Sequence, residues 1–319
     1  MKLAQVVEEY VTLRRATGLR FRTAATILNA FRRAAGHIDV NEITQDTVRV
    51  FVNGSRAISS SWHLKHYTLA GLFRFALQRG LVSTSPLPYR VPTRPAYAMP
   101  YIYSADELRR LLDATEALDV RHPIAHVAAS IPALTYRTLL LLLYGAGLRL
   151  SEALALTLED VDLTENLLVV RVTKFFKSRL LPIGPRLTAA LTLYAEKRLA
   201  LVERPPSANA FFLRRDGTAI PRDGAERYFR IIRGRLGIAR RDNAYFQPRL
   251  HDLRHTFAVH RLVAWYRQGS DVQLLLPKLS TYLGHISLAE TQSYLTMTPD
   301  LLRVAGRRFE IYADLETQP

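Results

Sequence analysis

Two arginines and a histidine in the second half of the sequence are residue types that could bind a phosphate. Arg149 follows Gly145 and Gly147, and glycines allow a backbone to approach another group closely. His251 and Arg254 stand three residues apart, a spacing that places both on one face of a helix. Arginine pairs make planar, bidentate contacts with phosphate oxygens. An arginine in either place could therefore bind a phosphate.

Each of these residues also has an ordinary structural interpretation. Arg149 could pair with Glu152, three residues on, and that carboxylate could equally hold the arginine in place for chemistry. His251 and His255 have the i, i+4 spacing of a zinc-binding pair. However, they lack the glutamate of an HExxH motif, and Arg254 would stand beside the cation. We therefore expect no metal site here.

Tyr294 is a candidate nucleophile, nine residues after His285, in a chain that has 15 tyrosines. A single tyrosine is more often a packing residue. Its phenol, with a pKa of about 10, becomes a useful nucleophile when positive neighbours favour the phenolate. Lys174 and Lys177, between two strand-like segments, are ordinarily solvated charges, although a lysine in a turn could also donate a proton.

The order and spacing of these elements resemble the tyrosine recombinase (phage integrase) family. An arginine in a GxGLRxSE context precedes a turn lysine, an HxxR segment, an LGH segment and a tyrosine nine residues later. The resemblance covers residues 104–312. It implies six catalytic residues, supported by Glu152: Arg149, Lys174, His251, Arg254, His285 and Tyr294. Lys177 is the alternative to Lys174, and Tyr282 is a rival tyrosine that precedes the LGH segment.

The resemblance implies site-specific cleavage and rejoining of DNA strands. The arginines and His285 would stabilise the pentacoordinate phosphorus, His251 would accept the tyrosine proton, and the turn lysine would protonate the departing 5′ oxygen. The product would be a 3′-phosphotyrosyl bond, which a 5′-hydroxyl attacks in reverse. No cofactor is expected, neither ATP nor a divalent ion.

Two other functions fit part of the pattern. A type IB topoisomerase-like enzyme that nicks and reseals DNA shares the residue set, and a non-catalytic DNA-binding accessory protein could carry a degenerate site. The LGH segment and the small size favour the recombinase, and every catalytic position is filled. The segment from Lys174 to Arg179 favours a mobile-element enzyme for integration, excision or transposition.

The charge of the chain also indicates a nucleic-acid partner. Lys and Arg number 44 against 28 Asp and Glu, a net charge of +16, which favours a polyanion. The resemblance implies that this partner is double-stranded DNA with recombination sites, bound by a homo-tetramer. The chain has no cysteine, which excludes disulfides and thiolate chemistry.

The sequence predicts a protein without a membrane partner. Lys2, Glu8, Glu9 and Arg14 interrupt any apolar core of a signal peptide. The longest apolar run, residues 139–144, is far too short to span a bilayer. We expect a cytoplasmic protein, bacterial or phage-like and associated with the nucleoid.

A proline-rich stretch indicates a division of the chain near residue 98. Five prolines prevent helix there and leave an extended connector: Pro86, Pro88, Pro92, Pro95 and Pro100. We expect a helical, SAM-like core-binding domain over residues 1–98, a linker to about residue 103, and a catalytic domain over residues 104–319. The first holds 14 Lys and Arg against 5 Asp and Glu. We expect it to clamp DNA phosphates, although a solvated helical bundle would carry similar charge.

The expected fold class is mainly α with a small β-sheet, the second domain being a mixed α/β tyrosine recombinase catalytic domain. Apolar stripes predict helices at these positions: 3–18, 23–35, from Thr44 onward, 60–81, from Ser104 onward, 139–147, 150–156, 185–202, 223–236 and 250–266. The helix over 60–81 has apolar residues that include Leu64 and Tyr67. Strand-like runs cover 167–172 and 179–183. After the tyrosine, Thr298 to Asp300 predicts a further helix start, in a segment that in the family often docks on a neighbouring protomer.

Overall fold

The computed structural model has two compact units, residues 1–97 and 98–319. It describes these residues: 1–18, 21–54, 60–88, 90–93, 99–116, 131–171, 178–207, 209–242, 244, 246–296, 302–303 and 306. Helices and strands are numbered along this described part of the chain. The expected boundary near residue 98 lies next to the division between the units.

The first unit contains the four helices that the sequence predicts: α1 (Leu3–Ala16), α2 (Arg22–Ala35), α3 (Gln45–Asn53) and α4 (Ser60–Gln78). Local signals set their ends. The Thr44 side chain accepts a hydrogen bond from the backbone N–H of Thr47 at the start of α3, and Gly36 follows α2 with φ of +79°. Glycine tolerates that conformation, whereas other residues are strained in it.

Helix α4 differs from the sequence-based expectation in which side chains it buries. Its core-facing side runs through Trp62, Leu69 and Phe73, at helical spacing. Leu64 and Tyr67 lie on the other side and are 47% and 54% exposed. An apolar residue within an amphipathic helix is therefore not automatically part of the core.

The second unit is mainly helical. Its helices are α5 (Ala105–Asp113), α6 (Ala133–Gly145), α7 (Leu150–Leu154), α8 (Pro185–Lys197), α9 (Arg222–Arg235), α10 (Asp252–Arg267), α11 (Val272–Leu283) and α12 (Leu288–Gln292). Helix α5 begins as predicted at Ser104, whose hydroxyl accepts from the N–H of Glu107 while the glutamate carboxylate accepts from the Ser104 N–H. This reciprocal pair is a capping box.

A small antiparallel sheet completes the unit, with strand order β1 (Val161–Asp162), β2 (Leu167–Val170) and β3 (Arg179–Pro182). Leu167 pairs with Pro182, and Val170 pairs with Arg179. The sequence predicts β2 and β3. It does not predict β1, because two residues are too few to show an alternating pattern. The turn expected between the two strands, with Lys174 and Lys177, lies outside the described residues, as does the helix start expected at Thr298.

Helix α11 is a second element that the sequence patterns do not predict. Pro277 lies inside it, although proline removes a hydrogen-bond donor and disfavours helix interiors. Helix α11 packs against α10 and α12, and α10 also packs against α6. A cluster of buried apolar side chains fills the space between them, including Phe257, Leu262, Leu283 and Tyr294. Within the described residues, no helix is long and apolar enough to cross a membrane.

Candidate active site

Arg254 lies in the first turns of α10 and is only 2% exposed. Its Nη1 donates to the backbone carbonyl of Gly147 at 2.7 Å, and its Nη2 donates to that of Leu283 at 2.7 Å. Burial, together with the charge of Arg149, lowers the pKa of Arg254 to about 10. The residue nevertheless remains cationic at neutral pH. Two carbonyl dipoles therefore hold a positive charge where three elements meet.

Gly147 must be glycine for that meeting to occur. Its φ is +60°, and a Cβ at this position would lie 2.5 Å from Cδ1 of Phe257 and 2.9 Å from Cδ2 of Leu283. Both distances are shorter than real Cβ contacts. The glycine thus lets the loop before α7 approach α10 and α11 closely enough for its carbonyl to accept from Arg254.

Arg149 stands at the start of α7 and is oriented by Glu152. Its Nη1 donates to Oε1 of Glu152 at 2.8 Å, and its Nη2 donates to the carbonyl of Gly284 at 3.1 Å. Burial by itself would raise the pKa of Glu152, but the hydrogen bonds and charges of Arg179 and Arg149 outweigh it and lower that pKa. The carboxylate therefore stays ionised between two guanidinium groups.

Arg179, the first residue of β3, is a site residue that the sequence analysis does not identify. Its Nη2 donates to Oε2 of Glu152 at 2.8 Å, and its Nε donates to the carbonyl of Tyr282 at 3.1 Å. A Cβ on Gly284 would lie 2.7 Å from Nη1 of Arg179. The glycine of the LGH segment therefore makes room for this guanidinium, a relation that sequence spacing does not reveal.

His285 follows Gly284 directly, past the end of α11. Its Nδ1 forms a hydrogen bond of 2.7 Å with the hydroxyl of Thr291, and its ring stacks on that of Tyr294 with 5.9 Å between the centroids. Burial, and then the charges of Arg254 and its neighbouring arginines, lower the pKa of His285 to about 3. The imidazole is therefore neutral at physiological pH, when one of its nitrogens can donate a hydrogen bond.

Tyr294 lies in a short 3₁₀ turn, Ser293–Thr296, and is 2% exposed. Its hydroxyl forms a hydrogen bond of 3.1 Å with Nδ1 of His255. The rival Tyr282 donates its phenol proton to the carbonyl of Pro182 at 3.1 Å, and burial raises its pKa to about 12. Tyr294 is thus the tyrosine whose phenol bonds a histidine of the site, whereas the phenol of Tyr282 bonds the sheet.

The sequence analysis assigns the proton-accepting role to His251, which the structure places at the N-terminal end of α10 and exposed. Its ring meets that of His255 edge to face at 4.9 Å. Although part of the side chain is exposed, the protein atoms around the ring desolvate it, and this together with the charges of Arg254 and Arg249 lowers the pKa of His251 to about 4. His255, which the sequence analysis considers only as a zinc ligand, is the histidine that reaches the phenol. The part of the chain that the structure describes contains no cluster of three metal-binding side chains.

Comparison with known proteins identifies the family. The model of the phage integrase family matches residues 103–300. A putative integrase/recombinase, y4rB, of Sinorhizobium fredii is 34% identical over 96% of this chain and 96% of its own length. The tyrosine recombinase XerD of Corynebacterium glutamicum is 31% identical over 86% of this chain and 85% of its own.

Solved structures share the fold at lower identity. A lambda integrase dimer bound to a COC′ core site has a TM-score of 0.65 and 18% identity, covering 92% of this chain and 77% of its own. The Tn1549 transposon integrase in complex with transposon right end DNA has a TM-score of 0.66 and 15% identity, covering 98% of this chain and all of its own. The chain belongs to the phage integrase family of tyrosine recombinases, which are site-specific DNA recombinases.

Proposed function

We propose that this protein cleaves and rejoins DNA strands through a 3′-phosphotyrosyl bond formed by Tyr294. One observation supports this most strongly. Arg149 and Arg254 donate to adjacent carbonyls, those of Gly284 and Leu283, at the junction from which His285 and Tyr294 follow. The two guanidinium groups therefore bind the backbone at the end of α11, next to the neutral His285 and close in sequence to Tyr294.

The chemistry is a transesterification at phosphorus. The phenolic oxygen of Tyr294 attacks, the bond from phosphorus to the 5′ oxygen breaks, and the phenol proton leaves as the new ester forms. Arg149 and Arg254 offset the charge on the non-bridging oxygens, and neutral His285 donates a hydrogen bond. Positive neighbours also favour the phenolate over the phenol. A 5′-hydroxyl of another strand then reverses these steps.

The remaining roles are assigned from the family resemblance. Lys174, or Lys177 in its place, protonates the departing 5′ oxygen, and His251 takes up the phenol proton. Each step exchanges one phosphodiester for another, so the reaction needs neither ATP nor a divalent cofactor. The Arg149–Glu152–Arg179 ion-pair network acts as support that fixes the direction of Arg149.

The partners follow from the same proposal. The first unit clamps double-stranded DNA with its excess of basic residues, and four copies assemble on two recombination sites. A lambda integrase tetramer bound to a Holliday junction and a transposon integrase on transposon DNA are similar in fold. We assign this chain to integration, excision or transposition of a mobile element.

Capture of covalent protein–DNA adducts tests the proposal. It can use a mixture of genomic fragments, so the target sequence need not be known beforehand. The protein is incubated with sheared bacterial genomic DNA, denatured, and recovered with the DNA bound to it. We expect adducts with free 5′-hydroxyl ends that a kinase can label, and fragment ends that share one sequence. Tyr294→Phe should form no adduct, whereas Tyr282→Phe should form as much as the unmodified protein.

Three outcomes would contradict the assignment. Adducts in Tyr294→Phe would remove the nucleophile from this residue, and adduct ends without a common sequence would favour the topoisomerase-like activity. Adducts with blocked 5′ ends would mean the opposite polarity of cleavage.

A further inference from the structure

Either His255 or Tyr294 could donate the hydrogen bond that joins them, and the surroundings of His255 indicate which of them is the donor. His255 is the residue after Arg254 on α10, and its Nδ1 lies 3.1 Å from the phenolic oxygen. The two rings are 5.6 Å apart between centroids. At this distance a proton lies between the two atoms, either on the nitrogen or on the oxygen.

The other ring nitrogen of His255 helps to decide between these possibilities. Nε2 is buried, and among the residues that the structure describes it has no hydrogen-bond partner. A neutral imidazole carries one proton, on Nδ1 or on Nε2. A proton on Nε2 would leave a buried donor without an acceptor, which folded proteins avoid more strongly than an incompletely used acceptor. The tautomer with the proton on Nδ1 is therefore favoured.

We propose that His255 donates a hydrogen bond from Nδ1 to the phenolic oxygen of Tyr294, which orients the nucleophile and stabilises its ionised form. This inference deepens the proposed function of Tyr294 and rests on it. The phenol proton, on this arrangement, leaves by a route other than His255. The interaction strengthens as the oxygen becomes negative, because hydrogen bonds to ionised acceptors are stronger than those between neutral groups.

The groups around His255 keep its imidazole neutral, so the ring carries a single proton that it can share with the phenol. Charged and titratable groups from three parts of the fold act on its ring: Arg254 on α10, Arg249 and His251 before that helix, and His285 and Tyr294 after α11. Burial, and then the charges of these groups, lower the pKa of His255 to about 3. The imidazole of His255 therefore stays neutral throughout the physiological range and carries one ring proton.

Nitrogen NMR of the free full-length protein tests the direction of the bond. With ¹⁵N-labelled histidine, a protonated ring nitrogen and a bare one have well separated resonances. His255 is identified by the loss of its signals in His255→Asn and by their shift in Tyr294→Phe. We expect Nδ1 to carry the proton at neutral pH. A proton on Nε2 would overturn the proposal.

The ionisation of Tyr294 gives a second test in the same sample conditions. With tyrosine labelled at Cζ by ¹³C, the resonance that Tyr294→Phe removes is followed against pH. We expect His255→Phe to raise the pKa of Tyr294 by about one unit, tenfold in the ionisation constant. His255→Asn, whose amide nitrogen can replace Nδ1, should restore most of the shift. A fall in that pKa would mean that His255 accepts rather than donates, and no change would mean that the contact does not stabilise the ionised phenol; either result would overturn the proposal.

His260→Phe is the matched control, because His260 lies on the same helix and also bonds a phenol, that of Tyr144, at 3.0 Å. It should leave the pKa of Tyr294 unchanged. Both measurements use protein without DNA. A protein that forms no adduct but shows the Nδ1 proton would therefore refute the proposed function and leave the hydrogen bond established.

Discussion

Each unit contains a cluster of histidines in ring contact with aromatic neighbours, and the two clusters differ in the charged groups around them. In the first unit, Trp62, His63 and His66 form what we call the α4 cluster. The ring of His66 stacks on that of Trp62 at 5.2 Å between centroids, and Nε2 of His63 forms a hydrogen bond of 2.8 Å with the carbonyl of Pro92. The α4 cluster therefore helps to pack the proline-rich connector onto its own unit.

The active-site cluster of the second unit consists of His251, His255, His285 and Tyr294. Burial is the largest cause of the lowered histidine pKa values in both clusters. For His66 the second cause is the neighbouring His63, whereas for His285 it is Arg254. Burial thus makes a histidine neutral in either place. The arginines held by backbone carbonyls are what turn such a group into a candidate site for an anion.

Replacing the buried guanidinium of Arg254 should have the largest effect of the changes that distinguish the two clusters. In Arg254→Lys, a single ammonium group cannot donate to both carbonyls and also present a planar face to a phosphate. We expect the rate of adduct formation on the captured DNA fragments to fall by about 100-fold or more, as for the loss of one stabilising donor in other enzymes. The matched change in the α4 cluster, His66→Phe, should leave the rate within about twofold. A rate for Arg254→Lys close to that of the unmodified protein would contradict the role of the guanidinium.

A smaller effect is expected from the glycine that brings the carbonyl to Arg254. Gly147→Ala should destabilise the second unit by about 1–3 kcal/mol beyond the backbone strain at its positive φ, because the added methyl overlaps Phe257 and Leu283. Gly36→Ala, with a positive φ but no atom within 4 Å of the added Cβ, should cost only the backbone strain of a non-glycine residue, about 1–3 kcal/mol. Each unit has one tryptophan, Trp62 or Trp265, so urea unfolding of each can be followed separately by fluorescence in proteins that keep one of them. Equal losses at the two glycines would mean that the close approach at Gly147 can relax.

The smallest effect concerns acid stability. The pKa of His66 is lowered in the folded protein by burial and by His63, so the unfolded chain binds a proton first as pH falls. The stability that neutral His66 contributes is present above its ordinary pKa of about 6.5 and is lost as pH falls below it. His66→Phe should therefore flatten the decline in stability of the first unit below that pH, measured through Trp62, while the second unit declines as before. An unchanged slope in the first unit would mean that His66 does not titrate on unfolding.

Much of the fold could be predicted from the sequence, because its signals are local. The cap at Ser104, the glycine after α2 and the apolar spacing of α4 each act within a few residues. Two elements were not predicted from the sequence, although Asp271 caps the start of α11. Strand β1 is too short to alternate, and α11 contains Pro277, whose cost is offset by packing against α10 and α12.

The candidate site divides in the same way. The sequence alone determined which residue types are present and in what order, and with the resemblance this led to Arg149, Arg254, His285 and Tyr294, which the structure brings to the end of α11 or into direct contact with one another. Only the tertiary structure decided that His255 rather than another histidine reaches the phenol at 3.1 Å, and that Arg179 shares Glu152 with Arg149. The reason is physical: spacing along a chain fixes neighbours within a helix turn, whereas contacts between α10, β3 and the 3₁₀ turn depend on how those elements pack.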